Sequence, residues 1–132
     1  MPRGNRAALR VIHYVTENRR VRRAIEVLKS GDIDTFLNIE NEAEDSSFKC
    51  LQSIYSASNP KVQGISVALA ASKLYLKDEC VARIQGGGFA GTIQAYVKID
   101  AARGYCEYMN SLYGEGSCNI LKIRKYGGMQ VI

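Results

Sequence analysis

Gly86, Gly87, Gly88 and Gly91 are the residues whose type and spacing could do chemistry, within Ile84-Gln85-Gly86-Gly87-Gly88-Phe89-Ala90-Gly91-Thr92-Ile93. Glycine reaches positive φ without a Cβ clash and lets a ligand or another backbone come close. Ordering so dense a cluster costs conformational entropy, so a plain hairpin would not need it. Two readings stay open from spacing alone. One is a wide turn or bulge with no ligand; the other is a loop whose N–H groups approach an anion, most naturally a phosphate. Gly86, Gly88 and Gly91 satisfy G-x-G-x-x-G, but that dinucleotide fingerprint opens a helix, whereas Thr92 to Val97 alternates as a strand. Gly88-Phe89-Ala90 touches the RNA-recognition signature, yet Gly87 stands where a basic residue belongs and Gly91 where an aromatic belongs. No G-x-x-x-x-G-K-[ST] loop occurs.

Other reactive residue types are present without a reactive pattern. Cys50, Cys80, Cys106 and Cys118 are widely spaced, with no C-x-x-C and only His13 as an imidazole. That argues against a zinc site and for buried free thiols in a reducing cytoplasm. Between Ile12 and Tyr14 on a helical pattern, His13 reads as a packed or hydrogen-bonded structural residue. Glu40, Glu42, Glu44 and Asp45 could do acid–base or metal work, but a helix end facing water explains them more simply, and no catalytic role is assigned to them. Residues 1–25 carry Arg3, Arg6, Arg10, Arg19, Arg20, Arg22 and Arg23 against Glu17, in a chain of net charge +5. Such a basic end suits nucleic acid or an anionic surface, or is the solvated face of a helix.

The elements that must position the glycines follow from periodicity. At 132 residues the chain is one domain, and no apolar run approaches a membrane span or a secretory signal. Helical spacing runs from Arg6 to Lys29 in two stripes: Ala8, Val11, Ile12 and Val15, then Val21, Ala24, Ile25 and Leu28. The stripes do not share a face. Either the segment bends near Asn18–Arg20, or a straight helix meets different neighbours at its two ends. Gly31 ends it, and Asp32 caps a second helix with Ile33, Phe36 and Leu37 inward. Ser46 to Tyr55 suggests a helical turn. Asn59 and Pro60 open a helix to about Lys77, apolar nearly all round and so expected to be central and buried. Val81 to Gln85 and Thr92 to Val97 flank the loop as strands. Asp100 caps a helix with Ala102, Tyr105, Cys106, Met109, Leu112 and Tyr113 inward, and Cys118 to Arg124 is expected as a third strand. The order gives an α+β fold, a small antiparallel sheet with helices packed on one face. It reads as half of a split β-α-β pattern, to which a further strand could be added from elsewhere.

These residues carry a resemblance. Arg83-Ile84-Gln85-Gly86-Gly87-Gly88-Phe89-Ala90-Gly91-Thr92 resembles the third conserved motif of the galactokinases, in the kinase superfamily (GHMP) named for galactokinase, homoserine kinase, mevalonate kinase and phosphomevalonate kinase. Arg6 to Asn18 with Arg20-Val21, then Leu28-Lys29-Ser30-Gly31-Asp32, is similar to the helix pair opening that family's C-terminal domain. Gly114-Glu115-Gly116-Ser117-Cys118 and the Leu121–Gly128 stretch resemble its last strand and tail. Nearly the whole chain is covered.

The resemblance implies a ferredoxin-like C-terminal domain over residues 1–132, with the glycine loop at the cleft facing a nucleotide-binding N-terminal domain. It implies an enzyme that passes the γ-phosphoryl of Mg-ATP to the anomeric hydroxyl of galactose or a related sugar. Gly86, Gly87, Gly88, Phe89, Ala90 and Gly91 would shape the phosphate–sugar cleft, with Phe89 packing to fix the loop. The family's sugar motif, phosphate loop, catalytic arginine and aspartate lie in the other domain. The chain begins where the family is two-thirds through, so no catalytic residue, metal ligand or bound ATP and Mg2+ is expected here, and the isolated chain should be inactive in a cytoplasmic setting. Ala90 stands where many relatives carry glycine. Ser47 to Ser56 replaces the usual acidic Glu-Leu-Asp segment, which leaves the acceptor sugar open. A non-catalytic sugar sensor built on the same domain is the alternative. A nucleic-acid module ranks last, because no aromatic stacking platform accompanies the arginines.

Overall fold

The structure is a computed structural model that describes residues 4–56, 58–77, 80–88 and 91–123. The chain divides into two compact units, Met1–Lys98 and Ile99–Ile132.

In the first unit, helix α1 (Asn5–Ser30) runs without interruption through Asn18–Arg20. The break considered there does not form, because nothing in that turn withdraws a backbone hydrogen bond. Gly31 ends the helix at φ 77°, a left-handed conformation that a side chain would strain. Its N–H donates to Leu28 O at 3.2 Å and the Asp32 N–H to Val27 O at 3.0 Å, which satisfies the last carbonyls. Asp32 then accepts the Thr35 N–H at 3.0 Å and starts α2 (Ile33–Ser46) as expected.

Helix α2 buries Ile39, Glu40 and Ala43, with Ile33 exposed. The apolar stripe predicted from Ile33, Phe36 and Leu37 therefore continues through a carboxylate, which hides it in the sequence. The helix passes into a π-helical turn (Ser47–Leu51), closed by Gln52 N–H on Ser47 O at 2.9 Å. Ser47, itself buried, returns its hydroxyl to Ala43 O at 2.9 Å.

Asn59 and Pro60 do not open a helix. The Val62 N–H donates to Asn59 O at 3.2 Å, so Pro60 sits inside a β-turn, where its fixed φ fits equally well. Helix α3 (Gly64–Leu76) begins four residues after Pro60. It is not the buried centre of the fold either. Ala68, Ala71, Ser72 and Leu76 are buried, whereas Val67 and Leu74 are 59% and 78% exposed.

Strands β1 (Val81–Ile84) and β2 (Ile93–Tyr96) pair antiparallel, Val81 opposite Tyr96 and Ile84 opposite Ile93. Both lie within the segments expected as strands, β2 where period-two alternation places it, and α2 and α3 pack against the pair. Phe36 of α2 meets Tyr96 edge to face at 5.3 Å between ring centroids. Ile39, Ala43, Ile54, Ala68, Ala71, Leu76 and Ile84 form the core of this unit.

The second unit holds α4 (Ile99–Tyr113), with Asp100 inside its first turn rather than at its cap. Tyr105 and Met109 of the predicted stripe are buried, while Leu112 and Tyr113 are exposed. The third strand expected from Cys118 does not form over residues 118–123, and Arg124 lies outside the described residues. The start of that segment is already committed to α4. Its Cys118 N–H donates to the Asn110 side chain at 2.9 Å, and its carbonyl accepts the Cys106 thiol at 2.9 Å. The molecule is thus α+β with a two-stranded antiparallel sheet among the described residues. Among those residues no helix is long and apolar enough to cross a membrane.

Candidate functional site

The eight residues between β1 and β2 form the glycine loop. Gln85 N–H bonds Thr92 O at 3.1 Å and extends the ladder by one step. Gly86 takes φ 60°, Gly88 φ 80° and Gly91 φ 75°, so three of the predicted glycines occupy backbone that other residues rarely adopt. Gly88 N–H turns back to Gln85 O at 3.4 Å and Gly91 N–H to Gly88 O at 3.2 Å. The exposed Gly86 and Gly87 amides make no hydrogen bond to any described residue. The loop geometry is compatible with an anion at those two N–H groups. Phe89 and Ala90 lie outside the described residues.

Gly88 is fixed from below. A Cβ built on it would stand 2.8 Å from Ser53 O and 3.6 Å from the Ile84 side chain. Glycine is needed there for space as well as for φ, whereas no described residue lies within 4 Å of such a Cβ at Gly86 or Gly91. Ser53 follows Gln52, whose own φ of 56° turns the chain under the loop. Ser53 is buried with its hydroxyl unpartnered among the described residues.

The strand entering the loop is held by charge. Arg83 donates to Glu40 at 2.7 Å and to Glu17 at 3.4 Å, and Glu17 also binds Arg20 at 2.8 Å. Burial works against the Arg83 charge, but Glu40 and Glu17 outweigh it and hold the guanidinium above its ordinary value. Burial, followed by the Glu40 charge, pushes the Tyr96 phenol up. Glu44 accepts the Ile84 N–H at 2.9 Å. Burial pushes its carboxyl up, opposed by that hydrogen bond and by Arg83. The acidic cluster is therefore not simply a helix end facing water. Glu40 and Glu44 clamp β1, Glu42 pairs with Arg23 at 2.9 Å, and Asp45 pairs with Lys49 at 3.3 Å.

These clamps leave Arg83 committed to carboxylates. The loop offers backbone N–H groups for a phosphate, and among the described residues no group of His, Cys, Asp and Glu side chains is placed to hold a metal ion. Glu40, Glu44 and Ser53 escape sequence reasoning. The one available signal was Glu40 at helical spacing between Phe36 and Ala43, a carboxylate on an inward stripe.

The remaining candidates take structural places. His13 Nδ1 lies 3.0 Å from Ser46 Oγ, the hydrogen-bonded role expected of it. All four cysteines are free, and each is half-buried rather than fully buried. Arg20 and Arg23 are paired, while Arg6, Arg10, Arg19 and Arg22 are exposed or lie on exposed helix surface. Beside the site, an open groove of about 540 Å³ between α2 and α3 is lined by Leu37, Glu44, Phe48, Leu76 and Ala82 among others, and by none of the loop glycines.

No family model and no solved structure matches the chain. Curated proteins do. The galactokinase of Haemophilus influenzae (strain ATCC 51907 / DSM 11121 / KW20 / Rd) is 34% identical over 100 residues, 74% of this chain and 24% of that protein. The galactokinase of Limosilactobacillus reuteri (strain DSM 20016) is 30% identical over 105 residues, 79% of this chain and 24% of that protein. The chain spans about a quarter of the length of the curated relatives it matches. It is similar to galactokinases over that stretch, consistent with a galactokinase C-terminal region.

Proposed function

We propose that this chain is the C-terminal part of a galactokinase-like sugar kinase and contributes its glycine loop to the phosphate–sugar cleft. The observation that carries the reading is the 30–34% identity to galactokinases over about three-quarters of the chain. The loop supports it through its geometry: two glycine amides with no hydrogen bond to any described residue, and a third glycine pressed onto backbone.

In this reading Gly86 and Gly87 present N–H groups to a phosphate oxygen, where fixed amide dipoles stabilise negative charge without reorganising. Gly88 holds the loop low, so that the phosphate meets backbone and not a side chain. Glu40, Glu17 and Glu44 fix the strand, and Arg83 stays structural. Mg-ATP supplies the transferred phosphoryl and the neutralising cation, and such chemistry depends on positioning and charge stabilisation. The catalytic groups, the cation's ligands and most of the sugar contacts belong to an N-terminal kinase domain. Galactose or a related sugar is the acceptor.

The test joins this chain to the upstream three-quarters of a galactokinase and measures galactose-dependent ADP formation. The joined polypeptide is expected to turn over and the 132-residue chain alone to be silent. A joined polypeptide that binds galactose without phosphorylating it favours a sugar sensor. Turnover by the chain alone overturns the division of labour.

A further inference from the structure

Strand β1 has β2 on one edge and, among the described residues, no strand on the other. Gln85 N–H points to Thr92, so the alternation of an antiparallel pair turns the Ile84 N–H away from β2. Glu44 receives it at 2.9 Å through Oε2. Ile84 is also the residue beneath the loop. It is 1% exposed, and its Cδ1 lies 3.6 Å from the point where a Cβ on Gly88 would stand. One helix carboxylate thus fixes the strand residue on which the loop rests. Among the described residues the charges of Arg83 on β1 and Asp45 on its own helix act on it, and Lys73, Lys77 and Cys80 line the groove that Glu44 also lines.

We propose that Glu44 is a positioning residue for the glycine loop, acting through the Ile84 N–H and not by contact with substrate. Its importance for catalysis rests on the reading of the loop as a cleft wall; its hold on the loop does not. The essential feature is an acceptor oxygen at that point, because an outward N–H left buried without one opens the strand end. Glutamine supplies the same oxygen without the charge, and alanine supplies none.

Backbone amide hydrogen exchange on the full 132-residue chain tests this by NMR. In E44A, exchange at Ile84, Gln85 and Gly88 should rise roughly tenfold or more, the opening expected when a buried donor loses its acceptor. E44Q should stay near wild type, and E42A, which removes a carboxylate on the same helix that binds Arg23 instead, should change none of the three. If E44A does not fold, E44D reads the same contact by withdrawing the oxygen one methylene, with faster exchange expected at the same amides. Unchanged exchange in a folded E44A, or E44Q as open as E44A, overturns the proposal. In the joined polypeptide, E44A should lower kcat more than it raises KM, with E44Q restoring it. An inactive wild-type joined polypeptide would sink the kinase reading while leaving the exchange result to decide the role of Glu44.

Discussion

Gly88→Ala separates two reasons for glycine that usually arrive together. At φ 80° an alanine pays the left-handed strain, about 1–2 kcal/mol. Its methyl would also stand 2.8 Å from Ser53 O, a main-chain atom that cannot rotate away, so one of the two segments must shift. Overpacking of that kind costs about 1–3 kcal/mol. Gly86→Ala carries the same strain at φ 60° with no described residue within 4 Å. Both variants gain similarly from a stiffer unfolded chain, about 0.4–1 kcal/mol. Subtracting one from the other cancels strain and entropy and leaves the contact. G88A should therefore be less stable than G86A by about 1–3 kcal/mol, read from urea unfolding midpoints at unchanged slope. Ser53→Ala should not relieve G88A, because the obstructing oxygen belongs to the backbone. If G88A proves no worse than G86A, the loop does not rest on the Ser53 segment and its low seating is wrong. A rescue by S53A would transfer the contact to the side chain.

Two further outcomes follow from the clamp on β1. Arg83→Ala leaves Glu40, only 8% exposed, without its 2.7 Å partner. Breaking a pair so enclosed should cost about 3–5 kcal/mol in urea unfolding, and a loss of under about 1 kcal/mol would place it with ordinary surface pairs. Glu44 should give a pH signature of defined sign. Its carboxyl is raised by burial in the folded chain above the usual 4.5, so the fold favours the protonated form. The stability it contributes is fully present below pH 4.5 and is lost as pH rises through the folded value. Wild type should therefore lose ground to E44Q across that window, and a difference that stays flat with pH would mean the carboxyl is not buried as described.

The hairpin was legible because its two signals are local. Alternation from Thr92 to Val97 and the density of Gly86, Gly87, Gly88 and Gly91 mark two strands and a strained loop without reference to anything distant. Gly31 with Asp32 was legible for the same reason, since a left-handed C-terminus and an N-cap need only their neighbours. What holds the loop was not. Glu40 and Glu44 reach a strand some forty residues away, and Ser53 meets Gly88 through its carbonyl, which any residue has. Asn59-Pro60 misled because a helix first turn and a β-turn ask the same φ of proline. The strand expected from Cys118 was lost to Asn110 and Cys106, whose side chains compete for the backbone that a ladder needs.

Helix α1 departs in part from the ordinary amphipathic pattern. Its polar residues make its bonds to the rest of its unit: His13 to Ser46, Glu17 to Arg83, Arg23 to Glu42. Val11, Ile12, Tyr14, Val15, Val21 and Ile25 are all exposed, and α1 buries no residue at all. A surface helix ordinarily turns its apolar stripe to the core and its charges to water. Here the Glu17–Arg83 pair is half-buried and the Arg23–Glu42 pair lies at the surface, while Val21, Ala24, Ile25 and Leu28 border a groove with Ile39 and Ala43 of α2, and Val11, Ile12 and Val15 are exposed. Of the two stripes that do not share one face, the second therefore meets α2 within this unit. The amphipathic rule thus holds over the second half of α1 and fails over the first.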